Sequence, residues 1–279
     1  GIEEMVSSSG PGLTLLLLIT LPFFWAMPMA LAACELGSAM PNTGFYDWTK
    51  RALGPFWGFL SAWWWTLATL VDTSLYVVLA ANYLQGYLGF NQNLFYFACW
   101  FVIGAFAVIN ILGLRLVALS SVIFSVLIIS PFLVLIIVGL ANWQFNPFHP
   151  IVPPGQNLMG GDGALILGLS VGLWMYSGYE SLSTLSGEMS NSERIIPKAL
   201  MLALPFVALM YLLPTLASLA AFGQWDRFGV AGTGDSVSFI DIGHSLGGTA
   251  LGHALLASAL LGNLALYLDY MGSCARPLY

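Results

Sequence analysis

The sequence predicts an all-α polytopic membrane protein, and three observations support that fold class. Hydrophobic residues make up 58% of its 279 residues and charged residues only 7%, whereas a soluble domain carries about 25% charged residues. The 46 residues between Arg115 and Asp162 include no charged side chain. Several apolar runs reach the length of about 20 residues that a helix needs to cross a bilayer. We therefore expect a multi-pass protein of the cell membrane, surrounded by the lipid bilayer.

Charged residues, turn residues and apolar runs divide the chain into eight spans. Residues 1–9 form the end of a first span, and Gly10-Pro11-Gly12 forms the turn that follows it. The other spans are 13–34, 56–88, 94–114, 116–141, 163–187, 199–222 and 249–271. Only two of the connecting loops are expected to be long, 142–162 and 223–248.

The basic residues predict the orientation of the chain in the membrane. If span 13–34 runs from the outside to the inside, six of the seven basic residues lie on the cytoplasmic side, and only Arg227 lies outside. The six are Lys50, Arg51, Arg115, Arg194, Lys198 and Arg276. This is a strong positive-inside pattern. Aromatic residues near the outer ends of the spans are expected to act as interfacial anchors, namely Trp143, Phe145, Phe148 and Trp225.

Span 163–187 is interrupted at its centre by the segment 176–179, which is followed at once by Glu180. A charge at the bilayer centre costs roughly 2.5–3.5 kcal/mol. Irregular backbone at that depth is tolerated only where it is buried in protein or lines a cavity. A discontinuous span of this kind indicates the binding site of a transporter.

The start of the chain echoes the second half of this interrupted span. Residues 1–10 align without gaps with residues 178–187, so that Gly1 matches Gly178 and Glu3 matches Glu180. The two segments are expected to run in opposite directions, five spans apart. This arrangement predicts two inverted five-helix repeats, each opening with a discontinuous helix, helices 1 and 6.

Residues 173–200, LWMYSGYESLSTLSGEMSNSERIIPKAL, resemble the amino acid–polyamine–organocation (APC) superfamily of transporters. In that family an aromatic residue, a glycine and an acid precede a loop of the form Glu-x-x-Asn-Pro-x-Arg-x-x-Pro-x-Ala. This loop matches at Glu188, Asn191, Arg194, Pro197 and Ala199, with Ser192 in place of the first proline. The start GIEEMVSSSGPG and the segment 53–59 are most similar to the polyamine-uptake and L-type amino acid branch.

The resemblance implies a complete protein of twelve spans. Residues 1–279 would then form a single, partial transmembrane transporter domain, from the second half of span 1 through span 8. The chain would be a fragment that lacks the start of span 1 and spans 9–12. The substrate would be a small organic cation or an amino acid, which requires carboxylates, an aromatic wall and backbone groups at helix breaks.

The two breaks supply the first group of candidate substrate-binding residues. Gly1 and Ile2 lie at the first break, where backbone N–H groups could bind the carboxylate of an amino acid. Ser177, Gly178 and Tyr179 lie at the second. Glu180 could face an ammonium group, exchange a coupling proton, or simply cap the second half-helix. The resemblance implies that Trp174 stacks on the substrate, with ordinary packing as the alternative.

Two further spans supply the remaining candidates. Asp72 is the only charged residue in span 56–88, and at helical spacing it shares a polar face with Thr69, Thr73 and Tyr76. That face should point into the helix bundle, where Asp72 binds a cation or a neighbouring helix. The resemblance implies that Asn263 and Tyr267, one turn apart in span 249–271, face the substrate. Of the acids beyond the first break, Glu3 is favoured over Glu4 to face the protein.

These features predict a secondary transporter of polyamines or amino acids that works by alternating access, coupled to protons or driven by exchange. An ion channel and a membrane protein without transport activity are the alternatives. The cysteines and histidines show no metal-ligand spacing, so we expect no metal, no cofactor and no enzymatic activity. Nucleic acid is not an expected partner. The sequence leaves open whether a proton or a sodium ion couples transport, and whether the chain forms a homodimer.

Overall fold

The computed structural model describes residues 1–40, 43–111, 114–160, 163–179, 191–229 and 236–274. Within these ranges the regular structure is helical, and Phe228 and Val237 form an isolated β-bridge. Six described helical segments are long and apolar enough to cross a membrane. They are Pro11–Ala39, Pro55–Leu88, Gln92–Ile111, Ser121–Ala141, Arg194–Phe222 and Phe239–Met271. The prediction of an all-α polytopic membrane protein is therefore confirmed.

The chain order of the helices follows the predicted spans closely. The helices are α1 (Ile2–Ser9), α2 (Pro11–Leu21), α3 (Met27–Ala39), α4 (Phe45–Leu53), α5 (Pro55–Leu88), α6 (Gln92–Ile111), α7 (Leu114–Ala141), α8 (Ala164–Met175), α9 (Ser192–Phe222) and α10 (Phe239–Cys274). A π-helical turn, Pro22–Ala26, joins α2 to α3. The span predicted to end at residue 34 is therefore one helical segment that continues to Ala39.

Helix α4 lies between the predicted spans and was not expected. It is nine residues long, too short to cross a bilayer, and its N-cap Gly44 and C-cap Gly54 delimit it. Trp48 is buried and its indole N–H donates to the Thr43 hydroxyl at 3.0 Å. The helix packs on α5 at Gly58, where an added Cβ would lie 3.0 Å from the Cα of Lys50. A search for apolar runs misses such a short amphipathic helix.

Helix α10 begins ten residues before its predicted start at residue 249. Ser238 and Asp241 cap its N-terminus, because the Ser238 amide donates to Asp241 Oδ2 at 2.9 Å and the Ser238 hydroxyl donates to the same oxygen at 2.7 Å. Gly248 adopts φ 71° and ψ −171°, which divides the helix into two arms. The sequence prediction began at the second arm because Gly247 and Gly248 indicate a helix boundary.

The chain folds as two compact units. The first unit comprises Gly1–Ala30, Ser130–Tyr179 and Leu200–Leu256, and the second comprises the described residues within Leu31–Ile129, Glu180–Ala199 and Ala257–Tyr279. In the first unit α8 packs against α1 and α2. Gly168 of α8 permits this contact, because an added Cβ would lie 2.7 Å from both Ser9 Oγ and Leu17 Cδ1. Small residues allow this close approach of helices in membranes.

Several described residues of the predicted long loop 223–248 are packed into the first unit. Phe228, Val237, Phe239 and Ile242 are buried in one apolar cluster with side chains of α1, α2, α7 and α9. Trp225 is partly buried against this cluster. The role of Trp225 as an interfacial anchor stays a prediction. The apolar residues 237, 239 and 242 were a signal of this burial.

Candidate functional site

The first half of span 163–187 ends where the interruption was predicted, and the second half of the span lies outside the described residues. Helix α8 ends at Met175, Ser177 and Gly178 lie outside regular helix, and Gly178 adopts φ 100°. The Ser177 hydroxyl donates to the carbonyl of Trp174 at 2.7 Å, which caps the end of α8. Glu180 lies outside the described residues, so its proposed contact with substrate or proton stays a prediction.

Tyr176 anchors the broken end of α8 to α2. Its side chain is fully buried, and its hydroxyl donates to the carbonyl of Leu18 at 2.9 Å. In a regular helix the amide of residue 22 would bond that carbonyl, but Pro22 has no N–H. The Tyr176 ring also packs edge-on against Tyr211 at 5.4 Å, and the Tyr211 hydroxyl lies 3.4 Å from the Met175 carbonyl. Sequence reasoning missed this anchor, although Pro22 was a signal for it.

The other side chains at this break are differently placed. Trp174 is 48% exposed. Tyr179 is partly buried, and no group in the described residues forms a hydrogen bond with its buried hydroxyl oxygen. Buried hydroxyl groups in folded proteins nearly always have a partner. Tyr179 therefore offers a hydrogen-bonding group that a water molecule or a bound ligand could satisfy.

At the predicted first break, Gly1 is the N-cap of α1 and Ile2 packs against the apolar cluster around Phe239. Glu4 is exposed and accepts a hydrogen bond from the amino nitrogen of Gly1 at 2.5 Å. Glu3 is partly buried, and the backbone of Phe239 lies near its carboxylate. The burial agrees with the expectation that Glu3, and not Glu4, faces the protein.

In the second unit the polar face of α5 is turned inward, as expected. Thr69, Thr73 and Tyr76 are buried, whereas Leu70 and Val71 are exposed. The two threonine hydroxyls donate to carbonyls of their own helix, those of Trp65 and Thr69. The exposed and buried positions alternate with the helical period, which is why this face was predictable.

Asp72 and Tyr76 form a polar pair on this face. The Tyr76 hydroxyl donates to Asp72 Oδ2 at 3.0 Å, so the bond lies within α5 and does not link Asp72 to a neighbouring helix. The Tyr76 ring stacks on Tyr270 of α10 at 5.6 Å with an interplanar angle of 26°. Tyr270 was missed as a candidate, although it lies one helical turn beyond Tyr267.

Tyr267 and Asn263 occupy different environments on α10. Tyr267 is buried in an apolar cluster with Tyr76, and it packs edge-on against Phe106 at 5.9 Å. The Asn263 amide donates to the carbonyl of Ala259 at 2.8 Å. Tyr267 therefore lies close to the residues around Asp72. The side-chain amide of Asn263 instead donates its hydrogen bond within α10.

The candidate residues thus form two groups, one in each unit. The first unit holds Gly1, Ile2, Trp174, Ser177, Gly178 and Tyr179, and the second holds Thr69, Asp72, Thr73, Asn263 and Tyr267. In the part of the chain that the structure describes, no group of three or more His, Cys, Asp or Glu side chains is placed to hold a metal ion. The chemistry that these groups offer is hydrogen bonding, aromatic contact and negative charge.

Comparison with known proteins identifies the family. Residues 1–272 match the family model described as amino acid permease. The chain is 32% identical over a 290-residue alignment to the polyamine transporter PUT1 of Oryza sativa subsp. japonica, with 98% of this chain and 50% of that protein covered. It is 31% identical over 276 residues to the polyamine transporter RMV1 of Arabidopsis thaliana, with 98% and 54% covered.

A bacterial relative is more distant. The chain is 29% identical over 198 residues to the serine/threonine exchanger SteT of Bacillus subtilis (strain 168), with 68% of this chain and 42% of that protein covered. The chain spans about half the length of the curated relatives it matches. Because the family model matches nearly the whole chain, the resemblance seen in the sequence is confirmed: this chain belongs to the amino acid permease family of the APC superfamily.

Proposed function

We propose that this chain belongs to a secondary transporter that moves polyamines across the cell membrane by alternating access. The observation that carries the proposal is the end of α8 in the middle of a predicted span, where Tyr176 bonds to α2 and the Tyr179 hydroxyl has no partner in the described residues. Interrupted helices at membrane depth form the binding sites of secondary transporters. The two plant relatives that carry the name polyamine transporter support this substrate class.

Partly buried carboxylates support a cationic substrate. Glu3 lies in α1 and Asp72 in the membrane-spanning helix α5, and no Lys or Arg side chain in the described residues forms an ion pair with either. A carboxylate in this setting is costly unless a proton or a cation neutralises it. A polyamine carries several ammonium groups, and each of these acids could neutralise one of them.

The other candidates receive roles that fit their environments. The exposed indole of Trp174 could cover a substrate ammonium, a contact worth about 0.5–2 kcal/mol. Tyr179 would donate or accept one hydrogen bond, and Thr69, Thr73, Asn263 and Tyr267 would shape the wall of the site. Glu180 is the candidate for proton coupling. The six basic residues of the positive-inside pattern would face the cytoplasm.

Exchange of amino acids is the second candidate function, and the similarity to the serine/threonine exchanger favours it. An amino acid would place its carboxylate at the backbone N–H groups of Gly1 and Ile2 and its ammonium near an acid. A polyamine has no carboxylate and would depend on the acids alone. Neutralising an acid should therefore reduce uptake of a polyamine more than uptake of serine or threonine.

The complete protein reconstituted in proteoliposomes tests both functions. Uptake of labelled putrescine, spermidine and a panel of amino acids would be followed with and without an inward proton gradient, for the wild type and for Glu180→Gln. We expect polyamine uptake that the gradient stimulates and that the substitution abolishes. Uptake of a neutral amino acid that survives the substitution would contradict the polyamine assignment. An absence of flux for every substrate would contradict the transporter itself.

A further inference from the structure

The corner between α4 and α5, in the second unit, carries a run of exposed aromatic side chains. Five aromatic residues near the start of α5 are each at least 45% exposed, namely Phe56, Trp57, Phe59, Trp63 and Trp64. They occupy one half of the helix surface, whereas the opposite side buries Gly58 and Ala62. Helix α5 has 34 residues and is therefore about 51 Å long, which exceeds the roughly 30 Å of the hydrocarbon core of a bilayer. Aromatic residues gathered at the end of such a helix indicate a membrane–water interface.

Helix α4 places two basic side chains beside these aromatic residues. Lys50 and Arg51 lie in its last turn, and both are exposed. Helices α4 and α5 pack so closely that a Cβ added at Gly58 would lie 2.7 Å from the Cβ of Lys50. The Lys50 side chain therefore begins directly against the backbone of α5, between Trp57 and Phe59. Positive charge and aromatic surface thus meet at one corner of the fold.

Neither basic group is neutralised by an acid within the part of the chain that the structure describes. The Lys50 ammonium lies 5.3 Å from the centre of the Tyr46 ring, a cation–π contact that leaves its positive charge in place. Asp47 is half-buried in the first turn of α4, and among the described residues it forms no ion pair with Lys50 or Arg51. The exposed indole of Trp57 adds an N–H donor at the same corner. The corner therefore offers two positive charges and further hydrogen-bond donors.

We propose that this corner, residues 46–64, binds the headgroup of an anionic phospholipid of the surrounding bilayer. The Arg51 guanidinium matches the oxygens of a phosphate with paired hydrogen bonds, and the Lys50 ammonium adds a second positive charge. Segments that combine basic residues with Trp and Phe lie in the membrane interface and attract anionic lipids. The rings of Phe59 and Trp63 stack at 6.3 Å with an interplanar angle of 12° and provide an apolar surface for the acyl chains.

The charges at this corner select the class of lipid. Phosphatidylcholine carries its own cation, which Lys50 and Arg51 repel, whereas phosphatidylglycerol has a net negative charge. In the orientation predicted from the basic residues, the corner faces the cytoplasmic leaflet, which holds anionic lipids. Each basic side chain near an anionic surface strengthens the attraction about fivefold, so the pair favours an anionic lipid by about twentyfold. None of these residues belongs to the two groups of candidate substrate residues, so lipid binding does not depend on the transported substrate.

The test is native mass spectrometry of the complete protein, purified in mild detergent with equal amounts of phosphatidylglycerol and phosphatidylcholine that have the same acyl chains. The wild type should retain phosphatidylglycerol over phosphatidylcholine by about twentyfold. Lys50→Gln combined with Arg51→Gln should abolish that preference. Arg194→Gln combined with Lys198→Gln is the matched control, because these two residues are also exposed, but residues 189–203 include no aromatic side chain. The control variant should keep the preference of the wild type.

A second measurement keeps the proposal testable if a variant does not fold. Phosphatidylglycerol with a photoreactive group in its headgroup should crosslink to the wild type within residues 46–64, and high salt should reduce this labelling because it screens the charges. The proposal is overturned if the wild type shows no preference for phosphatidylglycerol, or if the variant at Lys50 and Arg51 keeps that preference. An equal loss of preference in the control variant, or crosslinks only outside residues 46–64, overturns it as well.

Discussion

The hydroxyl of Tyr176 and the carbonyl of Leu18 form a hydrogen bond of 2.9 Å between the broken end of α8 and helix α2. Pro22 has no N–H to act as the usual helical donor to this carbonyl, and the Tyr176 hydroxyl supplies a donor there. A second proline, Pro131, lies inside α7, and a serine hydroxyl of α10 contacts the backbone of the preceding turn. There the Ser258 hydroxyl lies 3.4 Å from the Leu127 carbonyl and donates to that of Ile128 at 2.9 Å. Inside the lipid bilayer, no water is available to donate a hydrogen bond to a backbone carbonyl.

Replacing Tyr176 with phenylalanine should destabilise the complete protein. The ring and its packing on Tyr211 remain, so the loss is that of one buried hydrogen bond. Hydrogen bonds between helices in membranes contribute about 0.6–1.7 kcal/mol. Equilibrium unfolding in mixed detergent micelles would measure the change. Tyr96→Phe is the control, because Tyr96 is exposed on α6 and its substitution should leave stability unchanged.

A double-mutant cycle tests whether the effect of Tyr176→Phe comes from the hydrogen bond to the Leu18 carbonyl or from another contact of the Tyr176 hydroxyl. Pro22→Ala restores a backbone N–H four residues after Leu18, which gives the carbonyl a donor within its own helix. The cost of Tyr176→Phe should then be smaller in the Pro22→Ala background than in the wild type. An equal cost in both backgrounds would show that Pro22 has no part in the contact.

Gly168→Ala should also destabilise the protein. The added Cβ would lie 2.7 Å from Ser9 Oγ and from Leu17 Cδ1, so these side chains or α8 itself must shift. Overpacking of this kind costs about 1–3 kcal/mol. Gly104→Ala in α6 is the matched control, because an added Cβ there meets no atom within 4 Å. Thermal unfolding of both variants in one detergent would check the prediction, and equal stabilities would contradict it.

The positions of the membrane helices could be predicted from the sequence because a single property decides them. An apolar run of sufficient length forms a helix in lipid whatever it packs against. Thus α5, predicted as 56–88, is Pro55–Leu88. The end of α8 before Ser177 and Gly178 was also predictable, because an ordinary span would not place a glycine two residues before an acid at its centre. The short helix α4 and the first arm of α10 follow from local capping and packing, which the apolar runs do not reveal.

The contacts of the candidate site could be predicted only in part. The helical spacing of the sequence correctly predicted that Thr69, Thr73 and Tyr76 share a buried face of α5. It could not show that Asp72 would bond to Tyr76, because that depends on side-chain rotamers. The Tyr176 anchor joins residues 158 positions apart in the sequence. The contact between the rings of His244 and His253, which lie on the two arms of α10, requires the backbone angles of Gly248, which no spacing rule specifies.

Asp72→Asn should weaken polyamine transport while preserving the fold. The amide keeps the shape of the side chain and can still accept from Tyr76, but it removes the negative charge that a substrate ammonium would meet. We expect the KM for spermidine in proteoliposomes to rise at least about tenfold, which corresponds to 1.4 kcal/mol. Tyr76→Phe leaves the carboxylate in place and should change the KM far less. An unchanged KM in Asp72→Asn would show that this pair is structural.

Glu3 and Glu4 offer a matched comparison on one helical turn. Glu3 is partly buried beside the amide of Phe239, whereas Glu4 is exposed and bonded to Gly1. Glu4→Gln should leave uptake unchanged, because glutamine caps a helix from that position as glutamate does. Glu3→Gln removes a charge that no side chain neutralises, so it should reduce spermidine uptake strongly and stabilise the protein in the absence of substrate. Uptake and thermal unfolding measured on the same preparations would separate the two effects. Equal uptake by the two variants would remove Glu3 from the proposed cation site and leave its carboxylate a structural role only.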